Sequence, residues 1–108
     1  MFRVTTPTHV FTLPIDTSSC KEILITYKQD DIKLIKHYEN GTLPDGMTLN
    51  DKDAIIRLTQ EETKQFVANT YVKTQVRVLT TGNDSYASQI FNVIVNEVLN
   101  DEVLSDDN

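Results

Sequence analysis

The residues of this chain that could carry chemistry are few: His9, His37, Cys20 and four pairs of carboxylates. Two histidines could share a metal ion, but neither has a further ligand at a usable spacing beside it. Both are read as surface residues of strands. Cys20 is the only cysteine, which excludes an intramolecular disulfide and a cysteine-based metal cluster. As a nucleophile it would need a glycine-flanked elbow or a helix N-terminus to lower its pKa, and its surroundings offer neither. A small, partly buried residue at the start of a strand is expected instead.

The carboxylate pairs are Asp30–Asp31, Asp51 with Asp53, Glu61–Glu62 and Asp106–Asp107. Paired acids perform acid–base chemistry when burial splits their pKa values. Here three pairs fall in turns or the tail and the fourth in a capped helical turn, where water reaches them. "NDKDA" lacks the glycine and distal glutamate of a calcium loop. With 3 glycines in the chain there is no phosphate-cradling loop. These residues predict no enzyme, no cofactor, no metal site and no small-molecule substrate.

The elements that would position any site are strands. "THVFTLPI", residues 8–15, alternates with Phe11, Leu13 and Ile15 on one side, and Pro14 puts it at a sheet edge or ends it. "KEILITYKQ" places Ile23, Ile25 and Tyr27 on one face and is apolar enough to be central. Asp30–Asp31 turns the chain into "IKLIKHY", where Ile32, Leu34, Lys36 and Tyr38 share a side. Asn40–Gly41 and Pro44–Asp45–Gly46 are turn signatures. A short strand around Met47–Leu49 is expected to pair with Ala54–Leu58. Thr59, with Glu62 three residues on, is a capping box for one helical turn ending near Phe66.

The strongest signal is the pair of runs flanking Gly82–Asn83–Asp84. In "TYVKTQVRVLT" Val72, Val76 and Val78 alternate with Lys73, Gln75 and Arg77, and a partner strand is expected from Tyr86 to Val95. The sum is an all-β, immunoglobulin-like antiparallel β-sandwich of about six to eight strands with one short helical turn; a small barrel is the alternative.

At 108 residues the chain has length for one core. A β-sandwich domain over residues 1–96 and an acidic C-terminal segment over residues 97–108 are expected. That segment holds Glu97, Asp101, Glu102, Asp106 and Asp107, whereas the remaining 11 acids face all 10 bases. Neither part has the basic patch that a phosphate backbone requires, so nucleic acid is not a predicted partner. No apolar run is long enough to span a membrane. "NGT" and "NDS" match the glycosylation pattern, but without a secretory signal at the start they are read as turn residues.

The second hairpin strand is apolar on both faces, with Phe91, Val93 and Val95 on one and Ile90 and Ile94 on the other. Either it is a covered central strand, or one face meets another subunit. Beyond it Val95, Val98, Leu99 and Val103 fall at helical spacing, with Leu104 beside them. This stripe is expected to fold back on its own sandwich or to dock on a neighbour as a short amphipathic helix, with the last residues, 105–108, disordered.

In combination, Phe11–Thr12–Leu13–Pro14, "LTQEET..F" over residues 58–66, "QVRVLT" opening the hairpin over residues 75–88, and "VNEVLNDEVL" over residues 95–104 resemble small proteins of phages and prophages of Gram-positive bacteria, encoded among tail and baseplate structural genes. The resemblance covers most of the chain, and none of its motifs is catalytic. It implies a virion-associated structural or assembly protein, made in the bacterial cytoplasm and working through protein–protein contacts. It further implies a homo-oligomer, a trimer or hexamer, together with other virion proteins. Phe91, Val95, Val98, Leu99, Val103 and Leu104 are the residues expected at such an interface. The rival reading is a stand-alone immunoglobulin-like binding module for a carbohydrate or host protein, with Tyr71 and Tyr86 as its best residues. A third, a prophage regulator that mimics nucleic acid with its acidic tail, has only five acids to do so.

Overall fold

The computed structural model describes residues 1–105 as eight strands, one 3₁₀ turn and one helical turn. The strands are β1 (Thr8–Thr12), β2 (Cys20–Gln29), β3 (Ile32–Glu39), β4 (Met47–Asn50), β5 (Asp53–Arg57), β6 (Tyr71–Thr80), β7 (Ser85–Ala87) and β8 (Phe91–Ile94). The 3₁₀ turn is Thr17–Ser19 and α1 is Gln60–Lys64. Two antiparallel sheets face each other, one ordered β1-β5-β4 and the other β3-β2-β6-β7, with β8 also on β6. The all-β sandwich expected from the alternation is the fold.

Each strand forms where alternation lets one face be buried. Ile23, Ile25 and Tyr27 of β2 are fully buried opposite Val76 and Val78 of β6 and Ala54 and Ile56 of β5. Burying an aliphatic side chain of this size contributes about 2 kcal/mol. Pairing of Ile25 with Lys36 on one side and Val76 on the other makes β2 central, as its two apolar faces predict. The turns carry residues that tolerate a positive φ: Asp30 at 50°, Asn40 at 47°, Asp51 at 51° and Asn83 at 65°. At Gly46, φ is 81° and an added Cβ would run into the Arg57 carbonyl oxygen, so only glycine fits.

α1 starts as the capping box predicts. Thr59 Oγ1 accepts from the Glu62 N–H at 3.1 Å, and Glu62 Oε1 accepts from the Thr59 N–H at 2.9 Å. At the other end Arg3 donates to the carbonyls of Lys64, at 2.8 Å, and Phe66, at 2.7 Å. The N-terminal strap that brings Arg3 there runs beside the end of β8, through a parallel bridge between Phe2 and Asn96.

Three expectations are corrected. The partner of β6 is not one strand from Tyr86 to Val95 but two, because three residues, Ser88 to Ile90, stand opposite Gln75 and Val76. The extra residue makes a bulge, and Ser88 closes it: its N–H reaches Val76 O at 2.8 Å and its Oγ accepts from the Val76 N–H at 3.0 Å. Nor is this partner a covered central strand; β7 and β8 form the edge of their sheet. Finally, residues 97–105 contain no helix. A stripe this short does not nucleate alone, and its backbone bonds elsewhere: Leu104 N–H to Gln60 Oε1 at 2.8 Å and Gln60 Nε2 to Leu104 O at 3.1 Å. Of the disorder expected for residues 105–108, all but Ser105 lies outside the described residues.

Candidate functional site

The two sheets differ in width. β7 and β8 occupy successive lengths of the same edge, so the larger sheet is four strand positions wide and the smaller is three. His9 of β1 reaches Tyr27 of β2, and Lys36 of β3 donates to the Asp45 carbonyl just ahead of β4. The smaller sheet therefore lies over β3, β2 and β6, and the β7–β8 edge projects beyond β1. Beneath the projection is a cleft of about 560 Å³ along the whole of β1.

The immunoglobulin arrangement places strands A, B, E and D in one sheet and C, F and G in the other, with C′ added beside C. Assigning β1 as B, β2 as C, β3 as C′, β4 as D, β5 as E, β6 as F and β7–β8 as G reproduces both observed orders. Among the described residues no strand lies beside β1, where A would stand. The cleft occupies that place.

Its walls follow from strand parity. Thr74, Val76 and Val78 face inward from β6, and Phe91 and Tyr86 stand directly opposite Thr74 and Val78 on the same face. With no strand above them, Phe91 is 48% and Tyr86 49% exposed. Along the opposite wall, Leu58 N–H bonds Pro7 O and Leu13 N–H bonds Lys52 O. These two bonds set the ladder alternation with β5, so the backbone N–H and C=O groups of Thr8, Val10 and Thr12 point away from β5 into the open edge. Apart from His9, no lining residue is ionisable near neutral pH.

Two polar features interrupt this apolar surface. His9 Nδ1 and the Tyr27 hydroxyl are hydrogen-bonded at 2.7 Å, and burial, then the N-terminal charge, holds the imidazole below its ordinary pKa. Burial, and then the Glu62 charge, push the Tyr27 phenol up. Thr74 Oγ1 is buried and makes no hydrogen bond within the described residues. His9, expected at the surface, is half-buried, and the signal was available: it shares parity with Phe11 and Leu13, on the core face.

Of the residues expected at a partner interface, Phe91 lines the cleft. Val95 is fully buried in the chain's own core, because its N–H bonds Thr70 O and its carbonyl accepts from Asn69 as the last rung beside β6. It is not available to a partner. Leu99 and Leu104 are exposed, and Val98 and Val103 are half-buried, on a segment tied to Gln60 and, through Asp101, to Arg3 at 3.6 Å. They do not join the cleft. Tyr71 and Tyr86 do not cluster: Tyr71 faces outward beside buried Val72, and Tyr86 lines the cleft.

Cys20 is buried, and desolvation followed by the Asp16 charge push its thiol up, the opposite of an activated nucleophile. His37 has neighbours that its sequence spacing concealed. The β2–β3 register sets Glu22 opposite Glu39 and Leu24 opposite His37, bringing the ligand atoms of Glu22, His37 and Glu39 within 4.8 Å of one another. One imidazole nitrogen and two carboxylates are donors that suit a divalent cation. Here His37 Nε2 is paired with Glu22 Oε1 at 2.9 Å on the outer face, with Arg77 in the same depression. Among the described residues no helix is long and apolar enough to cross a membrane. No family model, curated protein or solved structure matches the chain.

Proposed function

We propose that the protein is a structural or assembly protein of a phage virion, from the tail or baseplate, that acts through protein–protein contacts and without catalysis. One observation carries the reading: the side of the sandwich bounded by β1 and β7–β8 exposes apolar side chains and unpaired backbone with no charged side chain to shield them. Sheet edges of proteins that act alone are protected by charged side chains, bulges or short strands. The β3 edge follows that rule, with Lys33 and Glu39 exposed along it. The β7–β8 edge is short and bulged at Ser88 but has no charged side chain. The segment Ser85 to Asn96 carries no charged residue in a chain that is 24% charged. An exposed, uncharged edge of this kind is a surface that works when covered.

The rival reading, a lone module for carbohydrate, needs aromatic side chains gathered on one exposed surface. The separation of Tyr71 from Tyr86 removes its best pair. The role is tested by purifying phage particles from a lysate of the host and assaying them for the chain with an antibody. Stoichiometric presence in the particles is expected. A chain found only in the soluble lysate overturns the proposal.

A further inference from the structure

We infer that the open side of the sandwich is a self-complementary interface in which the projecting β7–β8 edge of a second copy of this chain lies beside β1. The inference deepens the proposed role by naming the surface and its partner.

Three observations select that occupant. The first is shape. The notch beside β1 and the projection beyond it are each one strand wide, because the sheets are three and four positions across. A two-fold rotation about an axis along the strands sets the projection of each copy into the notch of the other. Both are filled without any new element, which is what an isologous contact requires.

The second is hydrogen bonding. The notch offers the outward backbone groups of Thr8, Val10 and Thr12, which call for an extended chain at strand spacing rather than a compact ligand. On β8 the rung at Val95 and Thr70 fixes the alternation, so Asn92 directs both its backbone groups outward and Ile94 its N–H. The Ile94 carbonyl is taken by the Met1 ammonium at 2.7 Å, which ends the free edge there. Each edge supplies what the other lacks.

The third is charge. An occupant of the notch must be free of charge where it meets Phe11, Val76, Val78, Phe91 and Val93. The chain's own C-terminal segment, rich in acid and tied at Asp101 and Leu104, does not qualify. The run Ser85 to Ile94 has no charged residue and presents Tyr86, Phe91 and Val93 on its inner face. In the paired arrangement these residues from both copies pack together.

Disulfide trapping tests this with the full chain. Val10→Cys is combined in turn with Ala87→Cys, Asn92→Cys and Ile94→Cys, all on outer faces, so that the set spans the register along the edge. Wild-type protein, whose Cys20 is buried, is the control. A covalent dimer is expected from at least one combination under mild oxidation, and it should be abolished when Phe91→Asp is added. Phe91 is half-exposed, so that variant should keep the wild-type circular dichroism, which shows that it still folds. Absence of dimer from every combination overturns the inference, as does dimer that forms equally with Phe91→Asp. A monomeric chain that carries a foreign peptide or a small apolar molecule in native mass spectrometry overturns it too. If the chain is monomeric yet found in purified particles, the pairing fails and the virion role stands.

Discussion

Lys36 Nζ lies 2.6 Å from Glu62 Oε2, joining the inward face of β3 to the first turn of α1, and only 7% of the lysine side chain is exposed. The same ammonium donates to the Asp45 carbonyl at 2.9 Å, so one buried cation holds a strand, a helical turn and the loop before β4. Burial alone raises the Glu62 pKa. The Lys36 hydrogen bond, the Thr59 N–H and the Lys36 charge outweigh that and hold it below its ordinary value of 4.5. A carboxyl depressed in the folded state adds stability above its unfolded pKa and loses it as pH falls through the folded one.

Glu62→Gln keeps an acceptor for Thr59 but leaves the Lys36 charge without its partner. A loss of about 2 kcal/mol in urea unfolding at pH 7 is expected. Below pH 4.5 the difference from wild type should shrink as Glu62 protonates. A constant difference at all pH values would show that the ion pair contributes nothing.

His9 predicts a separate pH effect. Its pKa is lowered from 6.5 on folding, so the unfolded chain binds a proton more readily. Stability from this group is complete above pH 6.5 and falls as pH drops toward the folded pKa. The unfolding midpoint of the wild type should therefore decline between pH 7 and pH 5, above the range where Glu62 titrates. In His9→Gln the midpoint should be flat there. An equal decline in both would remove His9 as the cause.

Thr74 carries a buried hydroxyl that forms no hydrogen bond among the described residues. Thr74→Val is nearly isosteric and removes the unpaired group, so a gain of about 1 kcal/mol is expected from denaturant unfolding. Destabilisation would show that the hydroxyl has a partner in the cleft.

The C-terminal segment is held by the Gln60–Leu104 hydrogen bonds and the partly exposed Arg3–Asp101 pair. Ending the chain at Val98 should cost about 1 kcal/mol and leave the mass in solution unchanged. A truncated chain that alone becomes monomeric would move the interface from the cleft to Leu99 and Leu104.

Strand content, the inward faces of β2 and β6, the β4–β5 hairpin and the capping box at Thr59 were legible because each rests on local periodicity or local hydrogen bonding. The C-terminal helix was misread because periodicity alone does not stabilise a short segment. The bulge at Ser88 was hidden because a single extra residue does not disturb an apolar run. What lay furthest from view was the site. The cleft is a difference in width between two sheets, and no residue encodes it. Its position depends on β1 joining β5 rather than β2, a long-range pairing. The Glu22–His37–Glu39 and Lys36–Glu62 groupings were likewise set by register between segments. Only His9 could have been found earlier, from its parity with Phe11.

Light scattering of the full chain across a wide concentration range tests the central claim, that the open side of the sandwich pairs two copies. The account predicts a mass of two times the 12.3 kDa chain, falling to that of the chain in Phe91→Asp. A monomer at every concentration, or a trimer, whose odd number leaves one notch unfilled in a two-fold pairing, would contradict it.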